Sequence, residues 1–436
     1  MLDGFSNIQK VPELQKRILL TFLLLAVYRI GAHVPTPGID TAALSAFFEQ
    51  NKGSLLGLFD MFAGGALSRL SVFALGIMPY ISASIILQLL TVAVPHLERL
   101  SKEGEAGRRK ITQYTRYGTV LLSIIQGFGI AIGLENMAGP TGASIVIQSG
   151  WWFRLLTVIT LTAGTAFIMW LGEQITEKGI GNGISLIIFA GIVVRGPEAV
   201  VNTFRLLASG EMGAVFVVLL IVLMVAVVGT VVFVESGQRR IPIQYAKRVV
   251  GNKMYGGQTT HLPLKVNTAG VIPPIFASSI IMFPATIANF IPHPWMKEVA
   301  NLLMPGRVGY ELLFIAFVVF FCYFYTAVTF NPVEVADNIK KYGGYVPGIR
   351  PGKKTAEYMD DVLTRLTFSG AIYVSAVCVL PSILISNFNV PFYFGGTALL
   401  IVVGVALDTA GQIETHLLTR QYEGFMKKGR IAARRR

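Results

Sequence analysis

Ten mainly apolar segments run through the chain and constrain its fold more than any other feature. A membrane-spanning helix needs about 20 mainly apolar residues, or somewhat fewer where neighbouring helices shield it. With 53% hydrophobic and 14% charged residues, the pattern predicts an all-α polytopic membrane protein with ten transmembrane helices. The segments are centred within residues 18–34, 71–94, 117–135, 155–171, 183–195, 213–234, 269–291, 311–330, 366–386 and 394–408.

Lys and Arg indicate how these segments cross the membrane. With the N-terminus inside, 29 of the 37 basic residues fall in segments that would be cytoplasmic. The positive-inside rule then places both termini in the cytoplasm. The first apolar run is predicted to be a retained helix, because no A-x-A-like cleavage site follows it.

The two halves of the chain resemble each other. A shift of 194 residues lays Gly76–Ile86 on Gly270–Ile280, with matches at Gly, Pro, Ile, Ala and Ser. We therefore expect a duplication of five helices, with an N-terminal half at 1–212 and a C-terminal half at 213–436. Because five is odd, the second half would enter the membrane inverted, so that ten helices surround a central axis.

The stretch Phe59–Leu90 contains a small-residue break followed by a proline-containing apolar segment. It predicts a short helix that stops near Gly64 and Gly65, and a second helix bent at Pro79. Broken helices at membrane depth normally line a cavity.

Recognisable catalytic or cofactor chemistry is not found in the sequence. Residues 179–183, GIGNG, miss the spacing of a dinucleotide loop, and residues 347–354, PGIRPGKK, lack parts of a P-loop. The five histidines are scattered, and Cys322 and Cys378 lie in apolar runs where packing explains them. We expect neither an enzyme nor a cofactor or metal. A secondary transporter with inverted repeats remains an alternative, and an intramembrane hydrolase is a weaker one.

Two cytoplasmic loops, at 235–267 and 331–365, are long and basic, and a basic tail follows at 417–436. Such loops can simply maintain the topology. They also suit docking of an anionic partner, either structured RNA or an acidic protein surface.

Nine motifs in one order make the chain resemble the SecY family, the central subunits of bacterial protein-conducting channels. They are MFAGGALSR, ALGIMPYISASII, EGEAGRRKITQYTRYGT, WLGEQITEKGIGNGIS, QRRIPIQYAKR, THLPLKVNTAGVIP, FNPVEVADN, VPGIRPGKKT and VPFYFGGTALLIVV. The resemblance implies two inverted five-helix halves around an hourglass pore in the bacterial cytoplasmic membrane. It departs at Pro274, which stands beside Pro273 and is expected to alter the bend of the seventh helix.

The resemblance also implies site residues. A pore ring of aliphatic side chains would comprise Ile77, Ile81, Ile184, Ile188, Ile275 and Ile401. A plug, at about 55–70, would include Leu55, Phe59, Met61, Phe62, Gly64, Gly65, Leu67 and Leu70. A polar cluster at a lateral gate would comprise Thr91, Gln126 and Asn267.

The same resemblance implies partners for the basic loops. These would be the ribosome and the SecA ATPase, with SecE and SecG as small subunits, and signal sequences and translocating polypeptides as clients beside membrane lipids. The docking residues would be Arg239, Arg240, Lys247, Arg248, Lys253, Arg350, Lys353 and Lys354.

Overall fold

The computed structural model describes residues 11–50, 57, 60, 63–135, 137, 144–210, 213–245, 248–250, 253–255, 259–290, 298, 302, 307–388 and 396–433. Helices dominate these residues. In chain order they are α1 (Pro12–Gly31), α2 (Thr41–Gln50), α3 (Met78–Ala93), α4 (Pro95–Lys102), α5 (Glu105–Glu135), α6 (Trp151–Lys178), α7 (Gly183–Val193), α8 (Gly196–Ala208), α9 (Ala214–Ser236), α10 (Ile272–Phe290), α11 (Val308–Thr329), α12 (Pro332–Lys341), α13 (Lys353–Phe388) and α14 (Gly396–Ala433).

Each of the ten predicted spans coincides with one of these helices. In the described part of the chain, seven helical segments are long and apolar enough to cross a membrane, and the pair α3 and α4, bent by 100° at its junction, counts as an eighth. The 20-residue α1 and the shorter apolar start of α10 account for the first and seventh predicted spans. The ten-helix prediction therefore agrees with the observed elements.

Both repeated prolines lie in the first turn of their helices and not in the middle of a span. The prediction of a proline bend was therefore wrong. Pro79 and Pro273 each occupy the second position of α3 and α10, and Pro274 follows in the same first turn. The N–H groups of a first turn have no partner within the helix, so proline removes no hydrogen bond there. For the same reason, the extra Pro274 removes no hydrogen bond within α10.

Local geometry repeats at the interval that the sequence suggested. The two helix starts, Met78 and Ile272, are related by the shift of 194 that aligns the sequences. Gly76 and Gly270, two residues before each start, both adopt positive φ angles, of 55° and 64°. A left-handed residue turns the chain sharply into each helix, and glycine adopts it without steric cost.

The chain divides into two compact units, each of which is discontinuous in sequence. The first comprises Met1–Phe204, Ser279–Arg307 and Val405–Arg436, and the second comprises Arg205–Ser278 and Val308–Gly404. In the first unit, α6 approaches its neighbours through glycines. A Cβ on Gly183 would lie 1.9 Å from the carbonyl oxygen of Gly172, so α6 and the start of α7 touch through their backbones.

The basic loops contain a small β-sheet that the sequence analysis did not predict. Strand β1 (Gln238–Tyr245) pairs antiparallel with β4 (Thr259–Lys265), and the short strands β2 (Arg248–Val250) and β3 (Lys253–Tyr255) form a hairpin between them. Strand β5 (Gly344–Tyr345), from the next loop, pairs with the other edge of β1. The two loops thus form one structure in the second unit.

That sheet has its own apolar core. Alternate residues of β1, Ile241 and Ile243, point inward. Ile241 packs with Val346 and the buried face of α13, while Ile243 packs with Ile339 and Met359. Burial of these side chains fixes the register of β1 and gives the two loops a defined shape.

Candidate functional site

The plug prediction falls on a buried run of turns between α2 and α3. Leu55, Phe59, Met61 and Phe62 lie outside the described residues. Gly57 and Asp60 are helical, and consecutive turns follow from Ala63 onward, so helical structure has ended before Gly64 as expected. Leu67 and Leu70 are both buried, with 5% and 1% exposed surface.

Hydrogen bonds satisfy the backbone of these turns. Ser71 donates from its N–H to Ala66 over 2.8 Å, and the N–H of Thr36 donates to the carbonyl of Leu70 over 2.8 Å. The N–H of Val72 donates to Val34 over 2.9 Å. Because lipid offers no hydrogen bonds, irregular backbone at membrane depth requires such partners within the protein. The segment is therefore a packed part of the first unit.

Two glycines allow this segment to approach its neighbours closely. Gly64 and Gly65 have φ angles of 67° and 82°. A Cβ on Gly64 would lie 2.9 Å from the Cα of Gly191 on α7. Any larger residue at position 64 would have to displace this backbone contact.

Charged side chains also reach the segment. Arg29, at the end of α1, donates from Nη1 to the carbonyl of Gly64 over 2.8 Å. Arg195, just after α7, forms an ion pair with the carboxylate of Asp60. Sequence reasoning missed Asp60 and assigned no role to Arg29 or Arg195; an acidic residue beside a small-residue break was the available signal.

Five of the six predicted ring isoleucines lie at or near the N-terminal ends of α3, α7 and α10. Ile77 is the N-cap of α3 and Ile81 lies in its first turn, while Ile184 and Ile188 belong to α7, Ile275 to α10 and Ile401 to α14. Ile401 is the sixth described residue of α14, and residues 389–395 before this helix lie outside the described part of the chain.

Burial of the ring residues is almost uniform. Ile77, Ile81, Ile188 and Ile275 expose 2–6% of their surface, and Ile401 is fully buried. Ile184 is partly exposed and packs near Gly172. A Cβ added to Gly172 would lie 3.2 Å from the Cγ1 atom of Ile184. The ring residues of α3 and α7 lie in the first unit, and those of α10 and α14 lie in the second. Their assembly into one ring stays a prediction.

The predicted gate residues have different surroundings. Thr91 donates its hydroxyl to the carbonyl of Gln88, one turn back on α3, over 2.6 Å. The Oε1 atom of Gln126 is buried and has no donor among the described residues.

Asn267 is the best-satisfied gate residue, and it is 3% exposed. Its Nδ2 donates to Glu235 over 2.7 Å and to the carbonyl of Gly270 over 3.0 Å. Its Oδ1 accepts from the N–H of Gly270 over 3.1 Å. Asn267 thus shapes the turn into α10, which carries Ile275. A shared polar cluster of the three gate residues stays a prediction.

The basic docking residues are placed on or beside the small sheet. Arg239 and Arg240 are exposed on β1, opposite Leu264 and Pro263 of β4. Arg248 and Lys253 belong to the short hairpin, whereas Lys247 lies outside the described residues.

Arg350 is exposed in a tight turn ahead of α13. The N–H of Ile349 donates to Val346 over 3.0 Å, and Gly348 has a φ angle of 82°. The buried Thr355 donates its hydroxyl to the carbonyl of Arg350 over 2.9 Å. The backbone is therefore held while the guanidinium remains accessible.

The two neighbouring lysines differ in their surroundings. Lys353 and Lys354 are both exposed at the start of α13. Lys354 pairs with Glu357 over 2.7 Å, so part of its charge is already compensated.

Together, these features define a polytopic membrane protein with many apolar helices and a packed run of turns ahead of α3. The profile of the SecY family matches residues 71–410. The protein translocase subunit SecY of Escherichia coli K12 is 54% identical over 434 residues, covering 99% of this chain and 98% of its own length. This chain therefore belongs to the SecY family.

Solved structures share the fold at low sequence identity. One, of a SecY whose plug domain is described as stabilising the closed state of the translocation channel and maintaining a membrane seal, has a TM-score of 0.64 at 20% identity, covering 92% of both chains. Sec61 from the canine ribosome-channel complex has a TM-score of 0.61 at 16% identity, again covering 92% of both chains. The fold of this chain is that of these channels.

Proposed function

We propose that this chain is the pore-forming subunit of a protein translocase. It conducts unfolded secretory polypeptides across the bacterial cytoplasmic membrane and releases apolar segments laterally into the lipid. It acts as a passive, gated conduit rather than as an enzyme. The observation that carries the proposal is the burial of five of the six ring isoleucines within uncharged segments of α3, α7, α10 and α14.

Aliphatic side chains at these positions suit a seal. The first eight residues of α3, α7, α10 and α14 contain no charged side chain. A narrow collar of Ile offers water and ions no polar partner, so an empty pore dewets. Flexible Ile side chains can still close around a passing polypeptide of any sequence. A solute transporter would instead need fixed polar ligands at this depth.

Two movable parts would control this conduit. The segment at about 55–70 would act as a plug, supported by its tight turns and its glycine contact with α7. The lateral gate would include Thr91, Gln126 and Asn267, whose polar groups yield when an apolar signal sequence binds. An apolar segment could then pass into lipid.

Partner proteins would supply the energy for translocation and deliver the polypeptides that cross the membrane. The exposed Arg350 and the exposed Arg239 and Arg240 of β1 give the second unit a positively charged surface. Such a surface suits ribosomal RNA during synthesis and an acidic surface of the SecA ATPase afterwards. SecE and SecG would complete the complex. Both termini would lie in the cytoplasm.

Reconstitution tests the proposal against the transporter alternative. The purified chain, assembled with SecE and SecG in proteoliposomes, should import a secretory precursor when SecA and ATP are added outside. An otherwise identical sample without ATP should not. Absence of ATP-driven precursor import, together with saturable uptake of a small solute, would favour the transporter.

A further inference from the structure

The predicted plug segment is held from two sides by arginines of different helices. Arg195 follows α7 and pairs with Asp60, while Arg29 ends α1 and binds the carbonyl of Gly64. The two contacts join positions 135 and 35 residues apart in the chain. The two contacts therefore hold the segment against the end of α1 and against the end of α7.

Asp60 organises the segment as well as anchoring it. Its Oδ2 accepts from Arg195, and its Oδ1 accepts from the N–H of Ser68 over 2.8 Å. Its carbonyl accepts from the N–H of Gly65 over 2.8 Å. One residue thus closes the loop 60–68 and binds the neighbouring helix. The loop cannot leave Arg195 without separating the two charges.

Burial makes that separation costly. The side chain of Asp60 is 6% exposed and that of Arg195 is 22% exposed. Among the described ion pairs, Arg195 is bound to Asp60 alone. A buried charge without its partner is strongly unfavourable, so removal of either member weakens the packed position.

The Arg29 contact differs because it is made to a backbone carbonyl. Gly64 has a left-handed φ of 67°, which turns its carbonyl toward α1. The adjacent Tyr28 hydroxyl donates to the carbonyl of Ala63 over 3.4 Å. These contacts depend on the conformation of the turn and are lost if the turn opens.

We propose that Asp60, Arg195 and Arg29 form a charged clasp that positions the plug in its resting place. Separation of the Asp60–Arg195 pair is then a required step in opening. Arg195 directly follows the helix that carries Ile184 and Ile188, so the clasp ties the plug to part of the predicted ring. This inference rests on the proposed channel function and on the plug assignment.

Conductance of the idle complex in planar bilayers, without precursor or motor, tests the clasp. Asp60→Asn keeps the side-chain volume and removes the charge, and we expect about a tenfold rise in idle conductance. Arg195→Gln removes the partner charge and should raise idle conductance to a similar extent, whereas Arg195→Lys keeps a positive charge beside Asp60 and should stay near the wild-type level. Unchanged idle conductance in Arg195→Gln would overturn the clasp. The matched control is Asp40→Asn, because the exposed Asp40 carboxylate accepts, among the described residues, from the N–H groups of Ala42 and Ala43 and from no arginine.

Each outcome is decisive. Unchanged idle conductance in Asp60→Asn, or an equal rise in idle conductance in Asp40→Asn, would overturn the clasp. If Asp60→Asn does not assemble, Arg29→Gln removes the other arm and should also raise idle conductance; quiet channels there also overturn the clasp. ATP-driven import by the wild type is measured in parallel, so failure of that import contradicts the proposed function rather than the clasp.

Discussion

Asn267 donates a hydrogen bond from Nδ2 to Glu235 over 2.7 Å, and this contact joins the last turn of α9 to the turn that begins α10. The Gly237 carbonyl accepts from the N–H of Val266 over 3.0 Å immediately beside it. The base of the basic hairpin and the start of the helix that carries Ile275 are therefore one connected structure.

We expect Asn267→Ala to lower the free energy of unfolding by about 3 kcal/mol, because three hydrogen bonds are lost and one of them reaches a carboxylate. Denaturant unfolding in detergent micelles measures the change. The control is Thr268→Ala, since the hydroxyl of the half-buried Thr268 makes one described hydrogen bond, to the nearby carbonyl of Lys265. Equal stabilities for the two variants would show that Asn267 does not organise this turn.

The contact of Gly64 with α7 leads to a second prediction. Gly64→Ala places a methyl group 2.9 Å from the Cα of Gly191, so the segment has to move. We expect a several-fold rise in idle conductance in planar bilayers. Gly210→Ala is the matched control, because Gly210 has a similar φ of 75° but open space around it. Alanine there only adds about 1–2 kcal/mol of backbone strain. Similar conductance for both variants would argue against a packed plug.

The ring residues lead to a third prediction. Ile81→Ser and Ile275→Ser each introduce a hydroxyl that can bind water, so the empty pore should wet and leak ions. We expect conductance to rise several-fold for either variant and further for both together. Ile159→Ser on α6 is the control, because Ile159 is 64% exposed on the helix surface. Unchanged conductance after substitution of Ile81 and Ile275 would refute the ring assignment.

A fourth prediction concerns the tight turn that carries Arg350. Arg350→Glu should reduce ATP-driven import at least about tenfold, because a like charge would then face an acidic partner surface. Levels of the inserted protein should stay normal, since the exposed side chain does not pack in the core. Arg109→Glu, at a position with 84% side-chain exposure near the start of α5, is the control. Normal import by Arg350→Glu would remove this residue from the docking surface.

Hydropathy located the spans because lipid selects apolar side chains over the whole thickness of the bilayer. It did not locate the helix ends. Helix α5 begins at Glu105 and α13 at Lys353, both before the predicted apolar segments, because these helices continue beyond the apolar region. Charged side chains are compatible with a helix in water, so hydropathy carries no signal there.

Local sequence patterns could not predict contacts between residues that are far apart in the chain. The pairing of Asp60 with Arg195 and the pairing of β1 with β5 join distant parts of the chain. The repeat predicted where α3 and α10 correspond, but the prolines were assigned a bend because their position within the first turn was not evident. The resemblance supplied the ring, gate and docking residues, and their surroundings required the structure.

The central claim is that a translocating polypeptide passes the ring of isoleucines. A photo-reactive or cysteine cross-linker placed at position 81 should react with a secretory chain that is arrested during ATP-driven import. The same probe at position 159 should not react. Cross-links from position 81 that depend on ATP and on the arrested chain are the predicted result. Absence of cross-links at position 81, while external protease degrades only part of the arrested chain and so shows that it still spans the membrane, would contradict the claim.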